Sequence, residues 1–295
     1  MTKTYLQLII AMLIWGSIGI FVRAVPLPSQ EIVLARCVLG SIFLLGVFLL
    51  RRQRPDPVAL RRYLPLLSLS GIVMGINWIF LFKAFTLTTV SAATLAYYCA
   101  PVFVMIGATL LLKEKLNWVK TLAIIAAMLG MILVNGTDMA TNMEGVNTTL
   151  GLLAGLAAAV FYAAVTLINK FVHGLTGLET TIVQLLAATP VVLIFTLITH
   201  NGPWVMLEGK GLFALLVLGI VHTGVCLYLY FSAIQKLPGQ TVAILSYIDP
   251  GSALFFAAIF LGERLSLIQV IGAALILGGA AFGELYKRNK NRILE

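Results

Sequence analysis

The sequence predicts an all-α integral membrane protein with about ten transmembrane helices in two inverted five-helix repeats. Three observations predict it. Of the 295 residues, 60% are hydrophobic and only 11% charged, and the mean hydropathy is +1.03, well beyond soluble domains. Apolar stretches of about 18 to 24 residues recur along the whole chain, each long enough to cross about 30 Å of hydrocarbon at about 1.5 Å per residue. The chain also resembles itself when displaced by 149 residues.

In order, the predicted spans are 5–25, 31–50, 63–82, 89–112, 118–135, 150–171, 179–199, 212–231, 239–261 and 267–285. The first lacks a small-residue cleavage site and has the length of a full span, so it reads as a retained helix rather than a signal peptide. Cys37, Cys99 and Cys226 fall inside spans, where they read as small hydrophobes, with neither a disulfide framework nor a metal spacing. No cofactor is implied.

The net charge of +9 is a matter of topology. Arg51, Arg52, Arg54, Arg61 and Arg62 fill the loop after the second span, and Lys287, Arg288, Lys290 and Arg292 follow the last. By the positive-inside rule these segments face the cytoplasm, and an even number of spans then puts both termini there, in agreement with Lys3. The loop near 136–149, with Asp138 and Glu144 but no Lys or Arg, falls outside. The basic excess thus suits anionic lipid headgroups rather than nucleic acid.

The 149-residue displacement aligns Phe82 with Phe231, Tyr98 with Tyr247, Pro101 with Pro250, Glu114 with Glu263 and Gly130 with Gly279. The halves divide at 1–145 and 146–295. An odd number of spans per half turns the second upside down, and loop charge agrees. The loops after spans two and four, with their flanks, carry Arg51, Arg52, Arg54, Arg61, Arg62, Lys113, Lys115 and Lys120, whereas their counterparts offer Lys210 and Arg264. Inverted repeats let one chain build two oppositely facing states around a midplane site, which points to transport.

Trp15-Gly16-Ser17, APVFVMIGATLLLKEKL at 100–116 and DPGSALFFAAIFLGERL at 249–265 resemble the paired repeats of EamA-type transporters in the drug/metabolite transporter superfamily. The likeness runs over nearly the whole chain. It implies a ten-helix transporter, often an exporter of amino acids or related metabolites, with a central cavity lined by the first, third, fourth, sixth, eighth and ninth helices. The first repeat departs from the usual Gly-Glu with Lys113-Glu114-Lys115.

Polar groups inside spans need a reason, because an ionisable one there costs about 2.5–3.5 kcal/mol. Asp249 and His222 lie equally far from the turn near Gln235–Lys236, so they are expected at one depth, where they pair, bind a cationic substrate group or exchange a proton. A structural hydrogen bond between helices is the alternative. Pro101 and Pro250 cannot donate to the carbonyls of Tyr97 and Ser246, so a break is expected at the same place in each repeat. Trp15, Tyr98, Tyr162 and Tyr247, with Asn77, Trp78, Asn169 and Ser246, complete the candidate binding set. Tyr63, Trp118 and Trp204 suit the interfacial belt instead. Arg36 is expected to snorkel or pair with Glu31, Glu114 and Glu263 to anchor helix ends, and Gly71, Gly75, Gly219 and Thr223, spaced by four, to mark close helix contacts.

The leading reading is a secondary exporter of small metabolites, such as amino acids or aromatic compounds, across the cytoplasmic membrane, working by alternating access with possible proton coupling. Its partners are a small-molecule substrate and membrane lipids, its oligomeric state is open, and no phosphate-cradling loop suggests ATP use. An intramembrane enzyme built on Ser246, His222 and Asp249, or a passive channel, are the alternatives.

Overall fold

The structure, a computed structural model, describes residues 2–52, 56–116, 118–135, 147–262 and 265–293, with only the backbone for 284–293. Arg54, the loop with Asp138 and Glu144, Glu263 and Arg264 lie outside the described residues. Among those described, nine helices are long and apolar enough to cross a membrane, and a shorter apolar stretch, Leu267–Gly283, supplies the tenth. The spans are Lys3–Val22, Ser29–Leu50, Pro57–Leu87, Val90–Leu111, Trp118–Asn135, Thr148–Phe171, Gly177–Thr199, Gly209–Ile234 and Gly239–Phe260, then the helix Leu267–Ile293. Their lipid-facing sides carry exposed Ile42, Leu110, Leu129, Ile198 and Ile259, as hydrocarbon solvent permits.

The packing repeats itself across the two halves. The third span lies on the sixth as the eighth lies on the first, and the fifth packs along the tenth. The second and seventh, equivalent to one another, also meet, as do the fourth and ninth. Helices of each half therefore complete the other, and neither half buries its polar face alone.

Several spans are interrupted. The fourth divides into Val90–Tyr97 and Ala100–Leu111, and the ninth into Gly239–Leu245 and Ile248–Phe260. Pro101 and Pro250 stand in the first turn of each second half, where a missing N–H does no harm. The carbonyl of Ser246, expected to lack a partner, accepts from Asp249 N–H at 3.3 Å in a tightened turn. The first span is also broken, Thr2–Gly16 and Ile18–Val22 meeting at Ser17. In the eighth, residues Leu218–Val225 wind as a π-helix, which proline did not announce.

Small residues bring backbones together where four-residue spacing suggested. A methyl on Gly71 would stand 2.8 Å from both Gln184 Cα and Ala187 Cβ, and one on Gly40 3.2 Å from the Gly219 carbonyl oxygen. Gly71→Val is expected to destabilise the protein by about 1–3 kcal/mol through overpacking, read as a lowered unfolding temperature in detergent. The loss exceeds that of an exposed change because Gln184 cannot retreat. Its side chain is tied to Ser70 at 2.6 Å and to Asn169 at 3.0 Å.

Candidate functional site

The breaks in the fourth and ninth spans meet, and tyrosines join them. Tyr247, fully buried, donates to the carbonyl oxygen of Tyr98 at 3.2 Å. Strict two-fold symmetry would send the Tyr98 hydroxyl to Tyr247. It goes instead to Asp249 Oδ2 at 3.3 Å, because the second repeat carries a carboxylate where the first has Ala100. Asp249 stands in the first turn of its half-helix, where the helix dipole favours negative charge. Among the described residues no cation lies within ion-pair distance of it.

An aromatic wall continues from there. Ring centroids run from Tyr98 to Tyr97 at 5.8 Å, Tyr97 to Tyr162 at 6.0 Å, Tyr162 to Tyr230 at 6.1 Å and Tyr230 to Trp15 at 5.0 Å. Hydroxyls link them, with Tyr230 donating to Tyr162 at 2.8 Å and Thr166 Oγ1 lying 2.8 Å from Tyr230. Trp15, Tyr97, Tyr98, Tyr162 and Asp249 are all only partly buried.

His222 sits within the π-helix and is 2% exposed. Its Nε2 lies 3.0 Å from Ser17 Oγ, and its carbonyl oxygen accepts from Trp15 Nε1 at 3.0 Å. Gly16, between those two residues, abuts Asp249, since a methyl there would stand 2.9 Å from the Asp249 carbonyl oxygen. The break at 15–17 therefore touches both His222 and Asp249. The two do not pair. The first span lies between them, and each has another partner.

Other expected residues are placed differently. Asn169 is fully buried in a closed network with Gln184, Ser70 and the Val165 carbonyl, at 3.0, 3.2 and 2.8 Å. Asn77 donates to the Ala158 carbonyl at 2.6 Å between the third and sixth spans and also meets Tyr97 of the aromatic wall. The Ser246 hydroxyl donates to Val242 O at 2.8 Å, lies 3.5 Å from Tyr162 and does not engage His222. Trp78 packs against Val33, Cys37 and Val192 and against the core cluster that contains Tyr230. Arg36 is not paired with Glu31, which holds His200 at 2.9 Å; its Nε donates to Thr223 Oγ1 at 2.9 Å. Lys120, counted above as loop charge, is 2% exposed and donates to Thr241 at 2.6 Å. Tyr97, Tyr230, Ser17 and Thr223 are not among the candidate binding residues read from the sequence. Tyr97 and Tyr230 look like core aromatics in sequence, and only the crossing of four spans turns them into one wall.

Glu114 acts as a partner of a helix end, as expected, but across the repeats. Its carboxylate accepts from Gly239 N–H at 2.6 Å and Gln240 N–H at 3.1 Å. Lys170 Nζ, nearby, donates to the carbonyls of Ile234 and Leu237.

The sequence profile of the EamA-like transporter family matches residues 2–136 and 149–283. The chain belongs to that family. An uncharacterized transporter of Bacillus subtilis, YxxF, is 31% identical over 289 residues, 98% of this chain and 91% of the relative. An uncharacterized transporter of Archaeoglobus fulgidus is 26% identical over 274 residues, 92% of this chain and 93% of its own. A solved crystal structure aligns over 98% of both chains with a TM-score of 0.83 at 19% identity, which shows a shared fold. This EamA transporter is thus a multi-pass membrane protein with a polar, aromatic break region at the centre of two repeats.

Tyr98→Phe in the transporter removes the hydroxyl bonded to Asp249 and keeps the ring. It is expected to weaken substrate binding about 3- to 10-fold without lowering the unfolding temperature by more than a few degrees, measured by titration and thermal shift on the same preparation.

Proposed function

We propose that the protein is a secondary exporter of small amine-bearing metabolites, amino acids or aromatic amines, in exchange for protons. The observation that carries this is Asp249, a carboxylate with no cation partner among the described residues, beside an aromatic wall and at a helix break. A carboxylate within a span needs its charge met. A substrate ammonium or a proton meets it, and the two compete for one place. Such competition is exchange, and a proton entering down its gradient makes net substrate movement outward.

The aromatic rings offer faces for an ammonium or a planar substituent, and the tyrosine hydroxyls offer hydrogen bonds. Alternating access follows from the two repeats, 1–145 and 146–295, rocking about the breaks. Exposed Arg51, Arg52, Arg61, Arg62, Lys113 and Lys115 support cytoplasmic loops after the second and fourth spans, hence cytoplasmic termini in the cytoplasmic membrane.

The test is counterflow in proteoliposomes, with amino acids, aromatic amines and nucleosides as unlabelled substrates, repeated under an imposed pH gradient. Saturable exchange of amines or amino acids that a gradient accelerates supports the reading. Exchange confined to nucleosides, or flux that does not saturate, refutes it.

A further inference from the structure

A groove of about 300 Å³ runs between the fourth and sixth spans, and every residue that lines it is apolar. Phe103 and Leu111 form one wall, Val160, Ala164, Leu167 and Phe171 the other. The groove lies on the lipid side. At about 100° per residue, Val160, Ala164 and Phe171 stand opposite Tyr162 of the aromatic wall, and Leu111, Val160 and Phe171 are 60%, 49% and 45% exposed. Small residues hollow it out. Gly107, midway between Phe103 and Leu111, makes room for Leu167, which a methyl there would strike, and Ala164 leaves the opposite wall low.

Size and charge select what fits. Residues 103 to 111 rise about 12 Å, which leaves the groove a mean cross-section of about 25 Å². That admits one extended hydrocarbon chain and excludes a helix, about 10–12 Å across. Just past Leu111 stand Lys113 and Lys115, both exposed and neither with an acidic partner among the described residues. Their neighbours are already engaged: Glu114 holds the N–H groups of Gly239 and Gln240, and Lys170 donates to the carbonyls of Ile234 and Leu237. Exposed Trp118 sets this level at the membrane–water boundary. A second copy related by a two-fold axis would bring the same lysines to the same mouth, like charge on like.

Lys113 carries a further mark. Its φ is +55°, in the left-handed region, whereas the equivalent residue of the second repeat is Gly262 at +68°. The turn asks only for glycine, because its bond, Glu114 N–H to the Ala108 carbonyl at 3.1 Å, uses backbone alone. A lysine there puts an ammonium at the groove mouth at the expense of backbone strain, as functional positions do.

We propose that this groove binds an anionic phospholipid, with one acyl chain between the fourth and sixth spans and the phosphate on Lys113, beside Lys115. The chain fills space that otherwise leaves both walls without contact atoms. A zwitterionic headgroup neutralises its own phosphate, whereas an anionic one leaves a net charge for the lysines. The lipid thereby braces the half-helix Ala100–Leu111, beyond the Pro101 break, against the sixth span.

Native mass spectrometry of the purified full-length protein, titrated with phosphatidylglycerol or phosphatidylcholine of identical chains, tests the site through the affinity of the first bound lipid. Wild type is expected to bind phosphatidylglycerol about 5- to 30-fold more tightly, as one or two lysines supply. Lys113→Gly lowers that preference about fivefold, yet raises the unfolding temperature of the lipid-free protein because glycine relaxes the turn. A lysine that merely closes the turn changes stability alone. Ala164→Trp fills the groove and removes the tight first binding; should it not fold, Ala164→Leu is read in the same way. Equal binding of the two lipids by wild type, or a preference undiminished in Lys113→Gly or in the groove variant, overturns the proposal. Displacement of the lipid by glycerol phosphate overturns the part given to the groove, and a dimer that the groove variant dissociates assigns the groove to a second copy instead.

Discussion

Asp249→Asn is expected to abolish gradient-driven exchange, by at least about 100-fold, and to weaken amine binding about 10- to 100-fold, while the protein stays folded. The change is nearly isosteric. The Asn carbonyl oxygen still accepts from the Tyr98 hydroxyl, now 3.3 Å from Asp249 Oδ2, so the link between the fourth and ninth spans survives. What disappears is a group able to hold either a proton or an ammonium. A purely structural aspartate behaves otherwise, because removal of its charge from a span then stabilises the fold and leaves exchange intact. Proteoliposome exchange with and without a pH gradient, beside thermal unfolding in detergent, separates the two. Undiminished exchange by the Asn variant refutes the role of Asp249.

The largest loss of stability is expected from Glu114→Ala. The carboxylate receives the first N–H groups of the Gly239–Leu245 half-helix at 2.6 and 3.1 Å, and Gln240 Nε2 returns to the Lys115 carbonyl at 2.9 Å. Three polar contacts thus tie the end of the fourth span to the start of the ninth. A charged hydrogen bond contributes about 1.5–3 kcal/mol, and an N-cap removed costs about 0.5–2 kcal/mol. Because the two bonds share one carboxylate they do not add fully, and the expected loss is about 2–4 kcal/mol. Glu114→Gln, which keeps one acceptor, should lose about half. Thermal unfolding gives the magnitude, and faster hydrogen exchange at residues 239–241 localises it. If the proline break alone holds the ninth span in place, those amides exchange as in wild type.

Much of the site was legible at the level of single residues. Trp15, Tyr98, Tyr162, His222 and Asp249 stood out because each puts a polar or amphipathic group in a span where hydrocarbon penalises it. The same rule also selected Asn169, which the structure commits to Gln184 and Ser70. A buried amide closed on protein partners and one facing a cavity look alike in sequence, since the difference lies in what another helix presents. Arg36 shows the reverse. Its nearest acidic neighbour in sequence, Glu31, is held by His200, 169 residues away, and Arg36 meets Thr223, 187 residues away.

By itself the sequence determined the membrane class, the number of spans, the duplication and the two proline breaks. These follow from composition, from the length of apolar runs and from a ring that removes an N–H, all of which are properties of short windows of chain. Only the tertiary structure decided that the first span touches both Asp249 and His222, that Tyr247 joins the two breaks through the Tyr98 carbonyl, and that Arg36 of the second span meets Thr223 beside His222. The physical reason is that lipid satisfies an apolar side chain wherever it points, whereas each interior polar group depends on a partner that the chain brings from far along its length.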